Sequence, residues 1–302
     1  MTTKTMAESP SSENRITSDQ VSVVIPAKNE MASIGRVVDS VRAQLPEAEI
    51  IVVDDGSDDE TAAIAGQHGA NVHHHPVSLG NGAAVKAGAR RAKGEILVFL
   101  DADGQHNPED IPRLLAQIES GYDMAVGARN SGSHANFGRL MANGAYNVIA
   151  SAVTGRTIPD LTSGFRAVKA TQFRQFLYLL PNGFSYPTTI TMAFIRSGYP
   201  VDFIDIQAAK RKGKSHIKPL KDGLRFLLII FKIATLYSPL KLFLPTSALF
   251  LTVGLGYYGY TLTAMGRFTN MSLLLLSAAV IIFLIGLVSE QITTLLYSQS
   301  PD

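Results

Sequence analysis

The sequence predicts an α/β fold, in which a mostly parallel, doubly wound sheet has helices on both faces and is followed by a membrane-attached segment. Short apolar runs alternate with stretches whose apolar residues recur at helical spacing, which is the pattern of repeated β-α-β units. Polar residues follow these runs directly, as expected where parallel strands end at one edge of a sheet. Near the C-terminus, two long stretches without charged side chains indicate helices that cross a bilayer.

The first two strands and helices are predicted between residues 21 and 67. An apolar run at 21–25 is followed by apolar residues at helical spacing over 34–45, and Pro46 ends that helix. A second run at 50–53 is followed by a predicted helix over 61–67. The remaining elements of this half are a short strand at 72–73, a helix over 80–93 and a strand at 96–100.

The strand predicted at 96–100 is an unbroken apolar run, which is typical of a strand buried on both faces of a parallel sheet. After it, Asn107 suits a helix N-cap and Pro108 suits the first helical position. Further strands are predicted at 124–126 and, at the edge of the sheet, at 199–206. From residue 135 to residue 200 the pattern is mixed, and it predicts no regular element.

Asp101 and Asp103 stand directly after the strand 96–100, with Gln105 two residues further on. Two neighbouring carboxylates repel each other unless a cation joins them. Hard oxygen ligands of this kind suit Mg²⁺ or Mn²⁺, which commonly bridge to substrate phosphates. The pair therefore predicts a divalent metal site, with an ordinary solvated turn as the alternative.

Polar residues also follow the other predicted strands. They are Asn29, Glu30, Asp54, Asp55 and Arg129. Asp55 suits a ribose hydroxyl, and the glycines at 80 and 82 suit a phosphate held by backbone N–H groups at a helix start. The acidic run 54–59 is alternatively a solvated turn, and Arg129 and Arg166 are alternatively surface arginines. The histidines at 73–75 do not readily share one metal ion, because adjacent strand residues point to opposite faces.

The C-terminal part is predicted to attach to a membrane. Residues 219–240 are apolar but carry charges, which suits a helix in the membrane interface. The uncharged stretches 242–264 and 272–289 are long enough to cross the hydrocarbon core, with a buried core helix as the alternative for the second. Eight Lys and Arg residues over 210–232, against Arg267 alone between the spans, place the preceding domain in the cytoplasm.

These observations divide the chain into five segments, of which the first is polar and lacks an apolar core. The segments are a disordered tail (1–18), the α/β domain (19–218), the interfacial helix (219–240), two transmembrane helices (241–290) and a cytoplasmic tail (291–302). The absence of cysteine excludes disulfides and thiolate metal sites. The net charge of +2 gives no indication of nucleic-acid binding, and none is expected.

Six short motifs occur together and in one order, and they resemble those of the family 2 glycosyltransferases with the GT-A (Rossmann-like) fold. They are VVIPAKNE, VVDDGS, DADGQ, GAR, SGFR and a GKS loop, which begin at residues 23, 52, 101, 127, 163 and 213. Within that family the chain resembles the polyprenyl-phosphate sugar synthases, namely dolichol-phosphate mannose synthase and the bacterial GtrB-like enzymes. The resemblance covers about residues 20–240, and the two predicted spans fit the GtrB-like arrangement.

The resemblance implies roles for the motif residues. The nucleotide sugar would be bound by Pro26, Asn29, Glu30, Asp55, Asp101 and Arg129, with Gly82 added from its place at a helix start. Mg²⁺ or Mn²⁺ would be held on the diphosphate by Asp101, Asp103 and Gln105. Catalysis at the sugar and the acceptor would involve Asp103, Asp160 and Arg166. The acceptor phosphate would be bound by Ser163, Arg211, Lys214 and Ser215.

The implied activity is inverting transfer of a hexose, of the glucose or mannose class, from a UDP- or GDP-sugar to a polyprenyl phosphate at the cytoplasmic membrane face. The chain would be a multi-pass protein of the cytoplasmic (inner) membrane, and the resemblance is compatible with a homo-oligomer, either a dimer or a tetramer. One alternative is a processive polysaccharide synthase of the same family. Such enzymes share a Gln-x-x-Arg-Trp motif, whereas this chain has no Trp. The other is a non-catalytic regulator that binds nucleotide sugars, which should lack a complete metal set.

Overall fold

The computed structural model of the protein describes residues 15–129, 147–148, 151, 154–183, 186–207, 231, 235 and 238–298. The chain divides into two compact units. One unit contains the β-sheet and its helices, and the other contains the C-terminal helical hairpin.

Seven strands form one sheet within the described ranges. They are β1 (Val21–Ala27), β2 (Glu49–Asp54), β3 (Asn71–His74), β4 (Ile96–Phe99), β5 (Met124–Arg129), β6 (Arg166–Lys169) and β7 (Val201–Ile206). Their order across the sheet is β3-β2-β1-β4-β6-β5-β7. All neighbours pair in parallel except β6, which is antiparallel to both β4 and β5. The predicted α/β fold with a mostly parallel sheet, and with an edge strand near residue 200, is therefore confirmed.

The strand order changes direction at β1, which has β2 on one side and β4 on the other. The parallel register pairs Ala27 with Asp54 and Val24 with Phe99. The carboxyl ends of these three strands therefore lie at the same edge of the sheet. In α/β folds, a crevice for ligands forms at such a switch point.

Helices cover both faces of the sheet. They are α1 (Ile34–Gln44), α2 (Thr61–Gln67), α3 (Asn81–Arg91), α4 (Ile111–Glu119), α5 (Ala170–Gln175) and α6 (Tyr186–Arg196), with short 3-10 helices at Ser18–Gln20 and Pro108–Asp110. On one face, α1 and α4 bury residues such as Val38 and Leu114 in a core with Val23. On the other face, the ring of Phe99 packs on that of Phe173, with centroids 4.7 Å apart. Both faces thus exclude water, which explains the unbroken apolar runs of the central strands.

The segment between residues 135 and 200, where the sequence predicts no element, contributes β6, α5 and α6. β6 has only four residues, and two of them, Arg166 and Lys169, are charged. β6 is buried because it lies between β4 and β5, and its own residues do not show the apolar pattern that predicts a strand. The 3-10 helix at Pro108–Asp110 also differs from a regular helix start, although the Asn107 side chain does accept the Glu109 N–H as a cap.

The C-terminal unit contains two long apolar helices, α7 (Pro239–Met265) and α8 (Asn270–Ser298). A helix of 27 residues is about 40 Å long, which exceeds a hydrocarbon core of about 30 Å. Both helices are long and apolar enough to cross a membrane, and large side chains of α8, such as Leu274 and Val288, are exposed. The second span therefore does not have the burial of a core helix.

Polar contacts hold the two hairpin helices in register. The carboxylate of Glu290 accepts hydrogen bonds from the Leu240 N–H at 3.1 Å and the Ser238 hydroxyl at 3.2 Å, and so caps the start of α7. Further along, the Ser247 hydroxyl donates to the Ala279 carbonyl at 2.8 Å. The interfacial helix predicted at 219–240 lies almost wholly outside the described residues.

Candidate active site

The two predicted metal ligands lie directly beyond β4. Asp101 is half-buried, and its backbone N–H donates to His106 Nδ1 at 3.4 Å. Gly164 lies against its carboxylate, since a Cβ at that position would be 3.2 Å from Asp101 Oδ2. Asp103 Oδ1 accepts the Gln105 backbone N–H at 3.0 Å, which orients the second carboxylate. A backbone group thus contacts each of the two carboxylates, that of Gly164 at Asp101 and that of Gln105 at Asp103.

The electrostatics of this pair fit a divalent cation. Burial raises the pKa of the Asp101 carboxyl, with His106 opposing the rise and Asp103 adding to it. In the part of the chain that the structure describes, no three His, Asp or Glu side chains are grouped so as to hold a metal ion. Two carboxylates completed by substrate phosphates and water are, however, the usual donor set for Mg²⁺. The oxygen donors present therefore fit a metal that is shared with a diphosphate.

Arg129 and Asp160 form a bidentate ion pair at the end of β5. Arg129 Nε donates to Asp160 Oδ2 at 2.8 Å, and an Nη donates to Oδ1 at 3.2 Å and to the Thr162 hydroxyl at 2.7 Å. Burial alone would raise the pKa of Asp160, but the hydrogen bond and charge of Arg129, together with the hydrogen bonds from Thr162, outweigh this effect and lower it. The charges of Asp101 and Asp103 act on the same guanidinium. The ion pair therefore belongs to the same charge cluster as the predicted metal ligands.

Arg166 is completely buried, so the alternative of a surface arginine is wrong for this residue. One guanidinium nitrogen donates to the Thr191 hydroxyl at 3.1 Å and to the Pro187 carbonyl at 3.3 Å, and the other donates to the Ser163 carbonyl. These bonds tie the segment before β6 to α6. Among the described residues, Arg166 Nε and the Ser163 hydroxyl are buried without a hydrogen-bond partner. The predicted roles of Arg166 in catalysis and of Ser163 at the acceptor stay predictions.

β2 ends at Asp54 and is followed by Asp55, and both aspartates are buried, so these two residues do not form a solvated turn. The Asp55 carboxylate accepts hydrogen bonds from the Ser78 hydroxyl and the N–H groups of Leu79 and Gly80, each at 2.8 Å. His75 Nδ1 lies 2.8 Å from the same carboxylate. Burial would raise the pKa of Asp55, but these hydrogen bonds outweigh it and lower the pKa. Asp55 therefore anchors the loop before α3, and its predicted ribose contact stays a prediction.

Two histidines that the sequence did not assign to the site face these aspartates. His74 Nδ1 lies 2.6 Å from Asp54 Oδ2, and His75 contacts Asp55 as described above. The parallel register places His74 beside Asp54, so each histidine meets the aspartate of the neighbouring strand end. The sequence does carry a signal for these contacts. It has two adjacent aspartates at the end of one strand and two adjacent histidines at the end of the next, and pairing the two strands in parallel predicts that they meet.

The predicted nucleotide-binding residues after β1 brace the loops at this edge. Asn29 has a φ of +55°, its N–H donates to the Ser57 hydroxyl at 2.9 Å, and its Oδ1 accepts the Asp58 N–H at 2.9 Å. The Glu30 N–H donates to Thr61 Oγ1 at 2.8 Å. Pro26 is buried within β1. These residues lie beside the β2 loop, as expected, and their contacts with a nucleotide stay predictions.

Gly82, which was predicted to face a phosphate, lies against a backbone loop. A Cβ on Gly82 would lie 2.1 Å from the Pro181 carbonyl oxygen and 2.8 Å from that of Gly183. The next N–H, of Ala83, donates to the Asn182 carbonyl at 3.1 Å. The close approach of this loop requires a residue without a side chain at position 82, so the glycine is explained without a bound phosphate. Arg211, Lys214 and Ser215 lie outside the described residues.

Two family models match the chain. The model described as Glycosyl transferase family 2 matches residues 22–177, and the GtrB C-terminal hairpin matches residues 238–295. The chain is 32% identical over 209 residues to polyprenol monophosphomannose synthase of Mycolicibacterium smegmatis, covering 63% of this chain and 77% of the relative. It is 36% identical over 162 residues to undecaprenyl-phosphate 4-deoxy-4-formamido-L-arabinose transferase of Proteus mirabilis, covering 50% of this chain. That match spans about half of the relative, 49% of its length.

The fold is also similar to a crystal structure of glucosyl-3-phosphoglycerate synthase from Mycobacterium tuberculosis, solved in complex with Mn²⁺, UDP and glucosyl-3-phosphoglycerate. The TM-score is 0.56 at 24% sequence identity, and the match covers 70% of this chain and 77% of that chain. At this identity the likeness concerns the fold, and the predicted GT-A architecture is confirmed. The Glycosyl transferase family 2 model covers more than half of the residues of this chain. The chain therefore belongs to the family 2 glycosyltransferases, and its residues 238–295 form a GtrB-type hairpin.

Proposed function

We propose that this protein transfers a hexosyl group from a UDP- or GDP-sugar to a polyprenyl phosphate at the cytoplasmic face of a membrane. The observation that carries the proposal is the pair Asp101 and Asp103, which stands beyond β4 at the switch point of a family 2 domain. The two relatives described above are a polyprenol monophosphomannose synthase and an undecaprenyl-phosphate sugar transferase, and this likeness supports the acceptor class. The hairpin at 238–295 supports an enzyme held at the bilayer where such a lipid resides.

The donor would be held at the edge formed by β1, β2 and β4. Asp101 and Asp103, together with Gln105, would hold Mg²⁺ or Mn²⁺ against its diphosphate, and the bound metal would neutralise the charge of the leaving group. Arg129 would add positive charge at the same place, and Asp160 fixes its guanidinium by two hydrogen bonds. The loop that Asp55 anchors would line the nucleoside side of the site.

The acceptor would supply its own nucleophile. A phosphomonoester has its second pKa near 6, so it is largely dianionic at neutral pH and needs little help from a general base. A phosphate oxygen attacks the anomeric carbon, the bond from that carbon to the diphosphate oxygen breaks, and the configuration inverts. Asp103 and Asp160 would orient the reacting groups. The acceptor phosphate would meet the Ser163 hydroxyl, Arg211, Lys214 and Ser215.

The C-terminal helices would keep the enzyme beside its lipid substrate. Because a substrate confined to the bilayer meets a membrane-bound enzyme at a high local concentration, attachment favours transfer without any added contact. The excess of Lys and Arg before the first span supports a cytoplasmic location of the sheet domain. A dimer or tetramer is compatible with this arrangement.

A donor panel tests the proposal. The full-length protein in detergent is incubated with undecaprenyl phosphate and labelled UDP-glucose, GDP-mannose, UDP-galactose or UDP-GlcNAc, with Mg²⁺ or Mn²⁺ and with EDTA. We expect one donor to label the lipid in the presence of metal, and the label to be lost with EDTA. A labelled polymer would instead identify a processive synthase. Nucleotide binding without transfer from any donor would favour the non-catalytic regulator.

A further inference from the structure

A buried histidine stands one residue beyond the DADGQ motif and has no role in the predicted site. His106 is 5% exposed, and its imidazole stacks on the ring of Phe165 with centroids 5.2 Å apart and planes inclined by 23°. Phe165 itself is wholly buried in the core beneath α1 and α4. The imidazole therefore rests on a rigid surface and does not reach into solvent.

The imidazole contacts Asp101. Its Nδ1 accepts the Asp101 backbone N–H at 3.4 Å and lies 3.8 Å from Asp101 Oδ2. Because Nδ1 accepts, the neutral ring carries its proton on Nε2. This hydrogen bond joins the ring to the second residue after β4, where the chain has just left the sheet. The ring therefore contacts the backbone of Asp101 directly and lies beside its carboxylate.

The residue next to Phe165 contacts the same carboxylate from another side. A Cβ on Gly164 would lie 3.2 Å from Asp101 Oδ2 and 3.4 Å from Oδ1, so the backbone of this residue closely approaches both oxygens. Arg166, which follows Phe165, anchors the segment to the Ser163 and Pro187 carbonyls. A continuous set of contacts thus runs from the buried Arg166 through Phe165 and His106 to Asp101.

We propose that His106, held in place by Phe165, is a positioning residue for Asp101. It acts on the divalent cation through that carboxylate and touches neither the cation nor the substrate. The inference rests on the proposed function, in which Asp101 and Asp103 hold Mg²⁺ or Mn²⁺. Loss of a group that orients a metal ligand typically weakens metal binding by about 10- to 100-fold. The hydrogen bond at 3.4 Å is long, so we expect the lower end, about tenfold.

Two substitutions separate the ring from its hydrogen bond. His106→Phe keeps an aromatic ring on Phe165 and removes the acceptor, whereas His106→Asn keeps an acceptor near the position of Nδ1 and removes the ring. Mn²⁺ binding to the full-length protein is followed by the electron paramagnetic resonance signal of free Mn²⁺, with saturating UDP and, in parallel, GDP. The thermal unfolding midpoint is measured for each variant. His68→Phe is the control, because His68 pairs with Asp39 on the surface before β3.

We expect His106→Phe to weaken Mn²⁺ binding about tenfold while its unfolding midpoint stays close to that of the wild type. His106→Asn should recover most of the affinity, and raising the Mn²⁺ concentration should restore transfer by His106→Phe. Wild-type affinity in His106→Phe would overturn the inference. If His106→Phe unfolds, His106→Asn decides, because tenfold weaker binding in a folded His106→Asn would also overturn it. If the wild type binds no Mn²⁺ with either nucleotide, the proposed metal site fails and the inference fails with it.

Discussion

The ion pair between Arg129 and Asp160 allows the effect of one substitution on stability to be calculated from its contacts. Asp160→Asn keeps the shape of the side chain and removes its charge. In the wild type the carboxylate is 7% exposed and accepts three hydrogen bonds from Arg129, one from its backbone N–H and two from its guanidinium. It also accepts the Thr162 N–H and hydroxyl. In the variant, the amide nitrogen places a donor against a donor of the Arg129 guanidinium.

The expected cost follows from the burial of the two partners. Breaking a fully buried ion pair typically costs about 3–5 kcal/mol. Arg129 is 31% exposed, so water partly compensates it, and we expect the free energy of unfolding to fall by about 2–3 kcal/mol. For a domain of this size that corresponds to a decrease of roughly 5–10 °C in the unfolding midpoint. Asp110→Asn is the matched control, because it breaks the more exposed pair with Arg113 and should cost less than about 1 kcal/mol.

The effect should depend on pH in a defined direction. Because the pKa of Asp160 is lower in the folded protein than in the unfolded chain, its contribution is present above the unfolded pKa and is lost as the pH falls through the folded pKa. The midpoints of wild type and Asp160→Asn should therefore differ at pH 7 and converge in acid below about pH 4. A difference of less than about 1 °C at pH 7, or one that does not change with pH, would refute the reasoning.

Three further outcomes are expected. Gly82→Ala places a Cβ 2.1 Å from the Pro181 carbonyl oxygen, so the unfolding midpoint should fall markedly, whereas Gly183→Ala, where no atom lies within 4 Å, should leave it nearly unchanged. Asp55→Asn replaces one of the two acceptor oxygens that anchor the loop before α3, and the KM for the donor should rise about tenfold with little change in acceptor use; an unchanged donor KM would contradict this. Arg211→Ala should abolish acceptor use while donor binding and membrane attachment survive; near-normal acceptor kinetics with weakened membrane binding would instead identify a lipid-binding patch.

The sequence predicts the first half of the sheet well because the burial of those strands is visible in their own residues. β1, β2 and β4 are apolar runs covered on both faces, so periodicity and polar boundaries locate them to within about two residues. The same register brings the residues after these strands to one edge. The sequence alone could therefore place Asp101 and Asp103 at that edge, where the pair predicts a divalent metal site.

The remainder of the site depends on contacts between residues far apart in the chain. β6 is short and charged, and its burial comes from β4 and β5, so no local pattern indicates it. Arg166 belongs to a motif typical of a substrate site, yet its guanidinium is bound by carbonyls inside the protein. His106 gains its place from Phe165, which reaches it only because the segment before β6 enters the sheet beside β4. Local propensity carries no information on such pairings.

The central claim is that Asp101 and Asp103 hold a divalent cation on a nucleotide sugar during transfer to a polyprenyl phosphate. The most direct measurement compares the wild type with Asp103→Asn, using full-length protein, the donor selected by the panel and undecaprenyl phosphate, over a range of Mg²⁺ and Mn²⁺ concentrations. Since a metal supplies several kcal/mol of transition-state stabilisation, transfer should fall at least about 100-fold in Asp103→Asn, with an unchanged unfolding midpoint. Full transfer activity by Asp103→Asn at saturating Mg²⁺ and Mn²⁺ would contradict the account.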